Sequence, residues 1–147
     1  MARCADVMTR EPACCEPGDS ITRIAQVMKN QDVGALPVVE SRSSRKLIGI
    51  VTDRDVVVKV VAAGGSVENA TARDAMTNDL VTCREDDDVS KAVAVMGERK
   101  VRRIPVVDGS GNLRGIIAQA DIATRVNRDT TTGELVEAIS APGTVRK

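Results

Sequence analysis

Thr52 and Asp55 stand three residues apart where a β-branched run gives way to a helix-like segment, in Gly49-Ile50-Val51-Thr52-Asp53-Arg54-Asp55. A helix start presents unpaired backbone N–H groups and the positive end of its dipole, so it attracts phosphate. A threonine hydroxyl there adds a hydrogen bond to the same phosphate. A carboxylate one turn on can accept two hydrogen bonds from a vicinal ribose diol. Thr52 and Asp55 therefore suit a nucleoside monophosphate-like ligand. The same tetrapeptide also satisfies a capping box, with Asp in place of the usual Glu, which needs no ligand. A second junction, Gly115-Ile116-Ile117-Ala118-Gln119-Ala120-Asp121, keeps the aspartate but puts Ala118 where Thr52 stands. Alanine is a poor N-cap, so Asp121 reads either as a ligand group or as compensation of the helix dipole.

Other charged and nucleophilic residues offer less. Arg99, Lys100, Arg102 and Arg103 lie between a helical pattern and a strand-like run. They suit a phosphate, and equally the solvated C-terminal end of a helix. Glu85-Asp86-Asp87-Asp88 precedes a helical pattern, where acidic residues are favoured as caps. Cys4, Cys14, Cys15 and Cys83 contain no Cys-x-x-Cys spacing, and read as small buried hydrophobes. Redox sensitivity is a second reading for Cys14 and Cys15, which fall on a strand-like stretch. No metal site is expected from these spacings.

The elements that must position these residues are written twice. Asp6-Val7-Met8-Thr9 recurs as Asp74-Ala75-Met76-Thr77, so Met8 and Met76 stand 68 residues apart. At the same offset Val27-Met28 recurs as Val95-Met96, and Leu36-Pro37-Val38-Val39 as Ile104-Pro105-Val106-Val107. After a two-residue contraction, Leu47-Ile48-Gly49-Ile50 recurs as Leu113-Arg114-Gly115-Ile116, and Asp55 as Asp121. Such a repeat predicts two like-folded units about a pseudo-two-fold axis, with function between them.

In the first copy Ala13 to Cys15 is strand-like and Pro17-Gly18 turns the chain. Asp19 or Ser20 caps a helix with Ile21, Ile24, Ala25, Val27 and Met28 on one face. Strands are expected at Ala35–Val39 and Leu47–Val51, joined by a polar loop, then a helix from Asp53 to about Ala63 before Gly64-Gly65. The second copy gives strand-like Val81 to Cys83, helix Val89–Glu98, strands Arg103–Val107 and Leu113–Ala118, and helix Asp121–Val126. Thr71 to Met76 suits one helical turn. In the tail, Thr131-Thr132-Gly133-Glu134 opens a short helix to about Ile139.

Composition narrows the function. Lys+Arg and Asp+Glu both number 21 among 147 residues, against a dedicated nucleic-acid or anionic-membrane binder. The chain has no His, the commonest general base, and no Phe, Tyr or Trp to stack on a base. No apolar stretch is long enough to span a bilayer, and the charged N-terminus lacks a signal-like run, so a soluble, cytoplasmic protein is expected.

The ordered marks, Met8-Thr9 and Met76-Thr77, the two Pro-Val-Val strands and the Gly-x-x-Thr-x-x-Asp ending at Asp55, make residues 3 to 126 resemble a tandem pair of the CBS (cystathionine β-synthase) domain family. The resemblance implies an α/β (α+β) fold, two β-α-β-β-α repeats packed through their sheets as a Bateman module. Its bounds are 3–64 for repeat 1, 65–72 for a linker, 73–126 for repeat 2 and 127–147 for a C-terminal tail. It implies a non-enzymatic regulatory module that binds an adenosyl ligand between repeats and signals in trans. A structural or interaction dimer with vestigial empty clefts is the alternative. AMP, ATP or S-adenosylmethionine are the implied regulatory ligands, with no cofactor required. The implied partners are a second copy, in a homodimer of modules, and an unidentified protein; nucleic acid and membrane are not implied. Carried over, one cleft comprises Thr52, Arg54, Asp55, Val81, Val101, Arg102 and Arg103. A second, weaker cleft comprises Ala13, Val33, Gly34, Ala35 and Asp121, because Ala118 and Ala120 carry no hydroxyl for phosphate.

Overall fold

A computed structural model describes residues 2–125. Val126, the tail and its expected helix lie outside the described residues. The described chain forms two compact units, one of residues 12–80 and one of residues 1–11 with 81 onward. Each is mixed α/β.

In the 12–80 unit, helix α2 (Ile21–Gln31) starts because Ser20 Oγ accepts a hydrogen bond from Arg23 N at 3.1 Å. Ser20 is therefore the cap, while Asp19 accepts instead from Glu16 N and from the Arg42 guanidinium. Ile21, Ile24 and Met28 recur on one helical face and are buried, each contributing about 2 kcal/mol of apolar burial. They cover β2 (Ala35–Val39) and β3 (Leu47–Thr52), an antiparallel pair with Ala35 opposite Thr52 and an irregularity at Val38/Val39. Cys15 bridges Val38 in parallel on one side and Thr77 bridges Ile50 on the other.

Beyond β3 the chain turns directly into helix α3, whose first turn is Asp53–Asp55 and whose continuation, Val56–Val61, is π-wound. The expected helix is thus present but wider than an α-helix, with Ala62 N bonded to Val57 O at 2.8 Å. Five of those six residues are valine, and β-branched side chains crowd the preceding turn of a regular helix. A short helix α4 (Ala72–Ala75) completes this unit, with Ala72 and Ala75 in its core.

The other unit repeats the plan. Helix α1 (Cys4–Val7) and strand β1 (Thr9–Arg10) come from the start of the chain. Strand β4 (Cys83–Arg84), helix α5 (Val89–Arg99), strands β5 (Arg103–Val107) and β6 (Leu113–Ala118) and helix α6 (Gln119–Arg125) follow. The sheet order is β1-β6-β5-β4, with an irregularity at Val106/Val107 matching that at Val38/Val39. Strand β4 occupies Cys83–Arg84, not Val81 to Cys83. It pairs in parallel with the far end of β5, Cys83 opposite Val106 and Arg84 opposite Val107, which leaves Val81 outside the strand.

The opening segment of each sequence copy thus packs in the unit holding most of the other copy. Two glycines accommodate this exchange. A Cβ on Gly49 would lie 3.0 Å from Met76 Sδ and 3.1 Å from Thr77 O. One on Gly115 would lie 2.5 Å from Met8 Sδ and 2.8 Å from Thr9 O. The repeated Met-Thr and Gly marks are one contact, made twice.

Candidate functional site

Thr52 closes β3 in extended conformation and caps α3. Its Oγ1 accepts from Asp55 N at 3.1 Å, and Asp55 Oδ2 accepts from Thr52 N at 2.9 Å, a reciprocal capping box. The structural use of these residues is therefore realised. It leaves chemistry available. The Thr52 hydroxyl still has its own proton to donate, and the carboxylate has further lone pairs. Asp55 Oδ1 lies 3.4 Å from Lys59 Nζ, and the Asp55 side chain is 16% exposed. Lys59 Nζ also donates to Ala75 O at 3.2 Å and to Thr77 Oγ1 at 3.1 Å. A cation thus sits beside the candidate acidic group. Its only signal in the sequence is the four-residue spacing from Asp55.

The same end of the hairpin carries the segment Val33-Gly34-Ala35. Gly34 O accepts from Asp53 N at 2.9 Å, and Ala35 is the register partner of Thr52. Val33 is 38% exposed, whereas Ala35 is buried. Ala13 is half-buried against the same core. Arg54 is exposed, and its backbone N–H is turned toward Asp53 Oδ1 at 2.8 Å. Residues assigned to two different clefts, Thr52, Arg54 and Asp55 to one, Ala13 and Val33 to Ala35 to the other, therefore belong to one unit. At least Thr52, Asp53, Gly34 and Ala35 are immediate neighbours.

The other unit repeats the arrangement with different side chains. Gln119 N donates to Arg102 O at 3.0 Å, and Arg103 is the register partner of Ala118. Asp121 Oδ2 accepts from Ala118 N at 3.0 Å, so the acidic half of the box survives without the hydroxyl half. Arg102 Nε is screened from solvent and has no hydrogen-bond partner, while Arg103 is exposed. Val81 and Val101 are half-buried against this unit's core. Asp88 caps α5 by accepting from Ser90 N at 2.9 Å, which holds its carboxyl below the usual range. Asp87 Oδ2 accepts from Arg84 N. These bonds account for Asp87 and Asp88 in the acidic run.

Among the described residues, no group of three or more His, Cys, Asp or Glu side chains is placed to hold a metal ion. No described helix is long and apolar enough to cross a membrane. A groove of about 320 Å³ in the 12–80 unit is lined by Ile21, Ala25, Val56 and Val67, with Lys29 as its charged residue. Neither Thr52 nor Asp55 lines it, and its apolar wall suits a hydrophobic partner better than a phosphate.

The CBS domain model matches residues 4–62 and 72–128. The chain belongs to the CBS-domain family. Its two CBS domains are the two sequence copies. It is 32% identical over 142 residues to hypoxic response protein 1 of Mycobacterium tuberculosis, covering 97% of this chain and 96% of that one. It is 35% identical over 117 residues to the uncharacterized protein MK0525 of Methanopyrus kandleri, covering 80% of this chain and 59% of the relative. The solved structure of hypoxic response protein I, with two coordinated zinc ions, superposes with a TM-score of 0.78, covering 86% of this chain and all of that one. The CBS domain pair of MJ0100, solved with 5'-methylthioadenosine and S-adenosyl-L-methionine, has 26% identity and a TM-score of 0.73, covering 84% of this chain and 94% of that one.

Proposed function

We propose that this CBS-pair protein is a non-enzymatic regulatory module that binds an adenosyl ligand of AMP or ATP type. The helix start at Thr52–Asp55 is its principal anchor. The observation that carries this reading is the Thr52–Asp55 pair on a continuous helix start, mostly buried yet with donor and acceptor capacity left over. Phosphate would take the Thr52 hydroxyl proton and the first-turn amides; the ribose diol would donate to the Asp55 carboxylate. The adenosyl ligands of the MJ0100 pair support the ligand class. Val81, Val101 and the Arg102-Arg103 backbone would border the base of this ligand. In the second, weaker cleft Asp121 would hold ribose, with Ala13 and Val33 to Ala35 around the base. The unpartnered Arg102 Nε gives the anion a donor that its own unit does not use. S-adenosylmethionine is the other ligand considered. Output in trans, to a protein partner or through a homodimer, follows from ligand affinity that differs between two arrangements. The protein would work in the cytoplasm.

A second reading, an assembly protein whose clefts hold nothing, is favoured by one observation. Val57, Val58 and Val61 are 56%, 47% and 55% exposed on α3, beside the apolar groove. Such a surface suits a second copy. Thermal shift with AMP, ATP, S-adenosylmethionine and NAD separates the two readings. A ligand at a hundredfold its dissociation constant stabilises by about 2.7 kcal/mol. No shift with any of them would leave the assembly reading standing.

A further inference from the structure

Cys14 and Arg45 form a pair that the ligand site does not use. Arg45 Nη1 donates to Cys14 Sγ at 3.6 Å. The neighbouring Cys15 donates its N–H to Pro37 O at 3.0 Å and accepts from Val39 N at 2.8 Å, which seats it in the core. Successive side chains of an extended segment point to opposite sides, so the Cys14 sulfur lies away from that core. Cys4, Cys15 and Cys83 are buried and Cys14 is half-buried. Cys14 is the cysteine that a small solute can reach.

The guanidinium is arranged for more than a thiol. Arg45 Nη2 is screened from solvent and has no hydrogen-bond partner, a condition that destabilises the chain. Among the described residues no carboxylate pairs with Arg45, whereas Arg42 is matched by Glu16 and Asp19. Arg45 also sits at φ 57°, and its counterpart after the two-residue contraction is Gly111 at φ 84°. Glycine adopts that backbone freely and arginine does not. The counterpart of Cys14, at the 68-residue offset, is Thr82. Thiol and guanidinium are thus present together in one copy, against backbone strain, and absent together from the other.

We propose that Cys14 is a modification site for hydrogen peroxide and that Arg45 receives the sulfur oxyacid formed there. The Cys14 sulfur attacks one peroxide oxygen. An S–O bond forms, the O–O bond breaks, and the thiol proton leaves with the other oxygen as water. A second peroxide converts this sulfenic acid to a sulfinic acid and releases a second water. Each step oxidises the sulfur by two electrons and reduces one O–O bond. The sulfinate offers two oxygens to a guanidinium with two terminal nitrogens, a bidentate match, and Nη2 gains the acceptor it lacks. Cys15 carries its sulfur on the opposite side, so it does not intercept the sulfenic acid as a disulfide.

The experiment treats the full chain with excess hydrogen peroxide under native conditions, removes the oxidant, and alkylates the remaining thiols after unfolding. Peptide mapping should find two added oxygens on Cys14, with Cys4, Cys15 and Cys83 alkylated. Arg45→Gly gives this position the residue its counterpart carries, so it should melt no lower than wild type. Its Cys14 should nonetheless oxidise roughly tenfold more slowly, the loss of one hydrogen bond to a charged group. Arg45→Lys keeps the charge without the fork and should fall between the two. Equal oxidation rates in wild type and Arg45→Gly would overturn the proposal, as would oxidation of the buried cysteines ahead of Cys14. Recovery of Cys14 in a disulfide, with Cys15 or with a second copy, would overturn it too.

Discussion

The 12–80 unit and its counterpart share a sheet, a capped helix and a glycine pressed against a methionine, yet they differ at the sheet end. One carries Thr52, Asp55 and Lys59 in a closed polar set; the other carries Ala118, Asp121 and a screened Arg102. What both keep is the carboxylate bonded to the backbone N–H at the strand's end, which either helix start requires. What differs is the hydroxyl and the neighbouring cation. The shared bond serves folding in both units, and the unshared groups are what would make the proposed Thr52–Asp55 anchor the stronger of the two.

The strongest way to break the likeness of the units is at the glycines. Gly115→Ala should destabilise by about 3 kcal/mol, because its Cβ would meet both a sulfur and a carbonyl oxygen well inside contact distance. Gly49→Ala, with contacts near 3 Å, should cost about 1 kcal/mol, since the Met76 side chain can yield. Urea denaturation of both variants measures the difference, and equal losses would show that the two contacts are equivalent after all.

Cysteine burial separates the units next. The Cys15 pKa is raised to about 12 in the folded chain from an ordinary value near 9, so the folded state keeps a proton that the unfolded state loses. Its contribution to stability is complete below about pH 9 and disappears as pH rises through about 12. Between those limits, wild-type stability should fall more steeply than that of Cys15→Ala, by at most about 1.4 kcal/mol per pH unit. Parallel curves would contradict it. A smaller effect concerns the caps. Thr52→Ala should cost about 1 kcal/mol, and Ala118→Thr should gain several tenths, both read as shifts in thermal midpoint.

Much of this was legible in the residues. The repeat, the capping at Asp88, the strands β2, β3, β5 and β6, and the family all follow from spacing and composition, because these are local or periodic signals. The exchange of opening segments was not. Asp6-Val7-Met8-Thr9 gives no local cue to which copy it packs against, and the β1–β6 pairing and the Gly115–Met8 contact reveal it. Lys59 was missed for a related reason. It is one basic residue in a valine run, and only the fold brings Ala75 and Thr77 to it. The start of β4 lies two residues beyond the strand-like Val81, because its pairing with β5 begins only at Cys83 opposite Val106. The π-winding of Val56–Val61 was also hidden, since the valine pattern reads equally as a regular helix.

In the proposed function the Thr52–Asp55 helix start is the principal ligand anchor and the Asp121 start the weaker one. Isothermal titration of AMP into Asp55→Asn and Asp121→Asn tests it most directly. Asp55→Asn should remove the principal binding event, while Asp121→Asn should retain it. Binding lost in Asp121→Asn and kept in Asp55→Asn would contradict it.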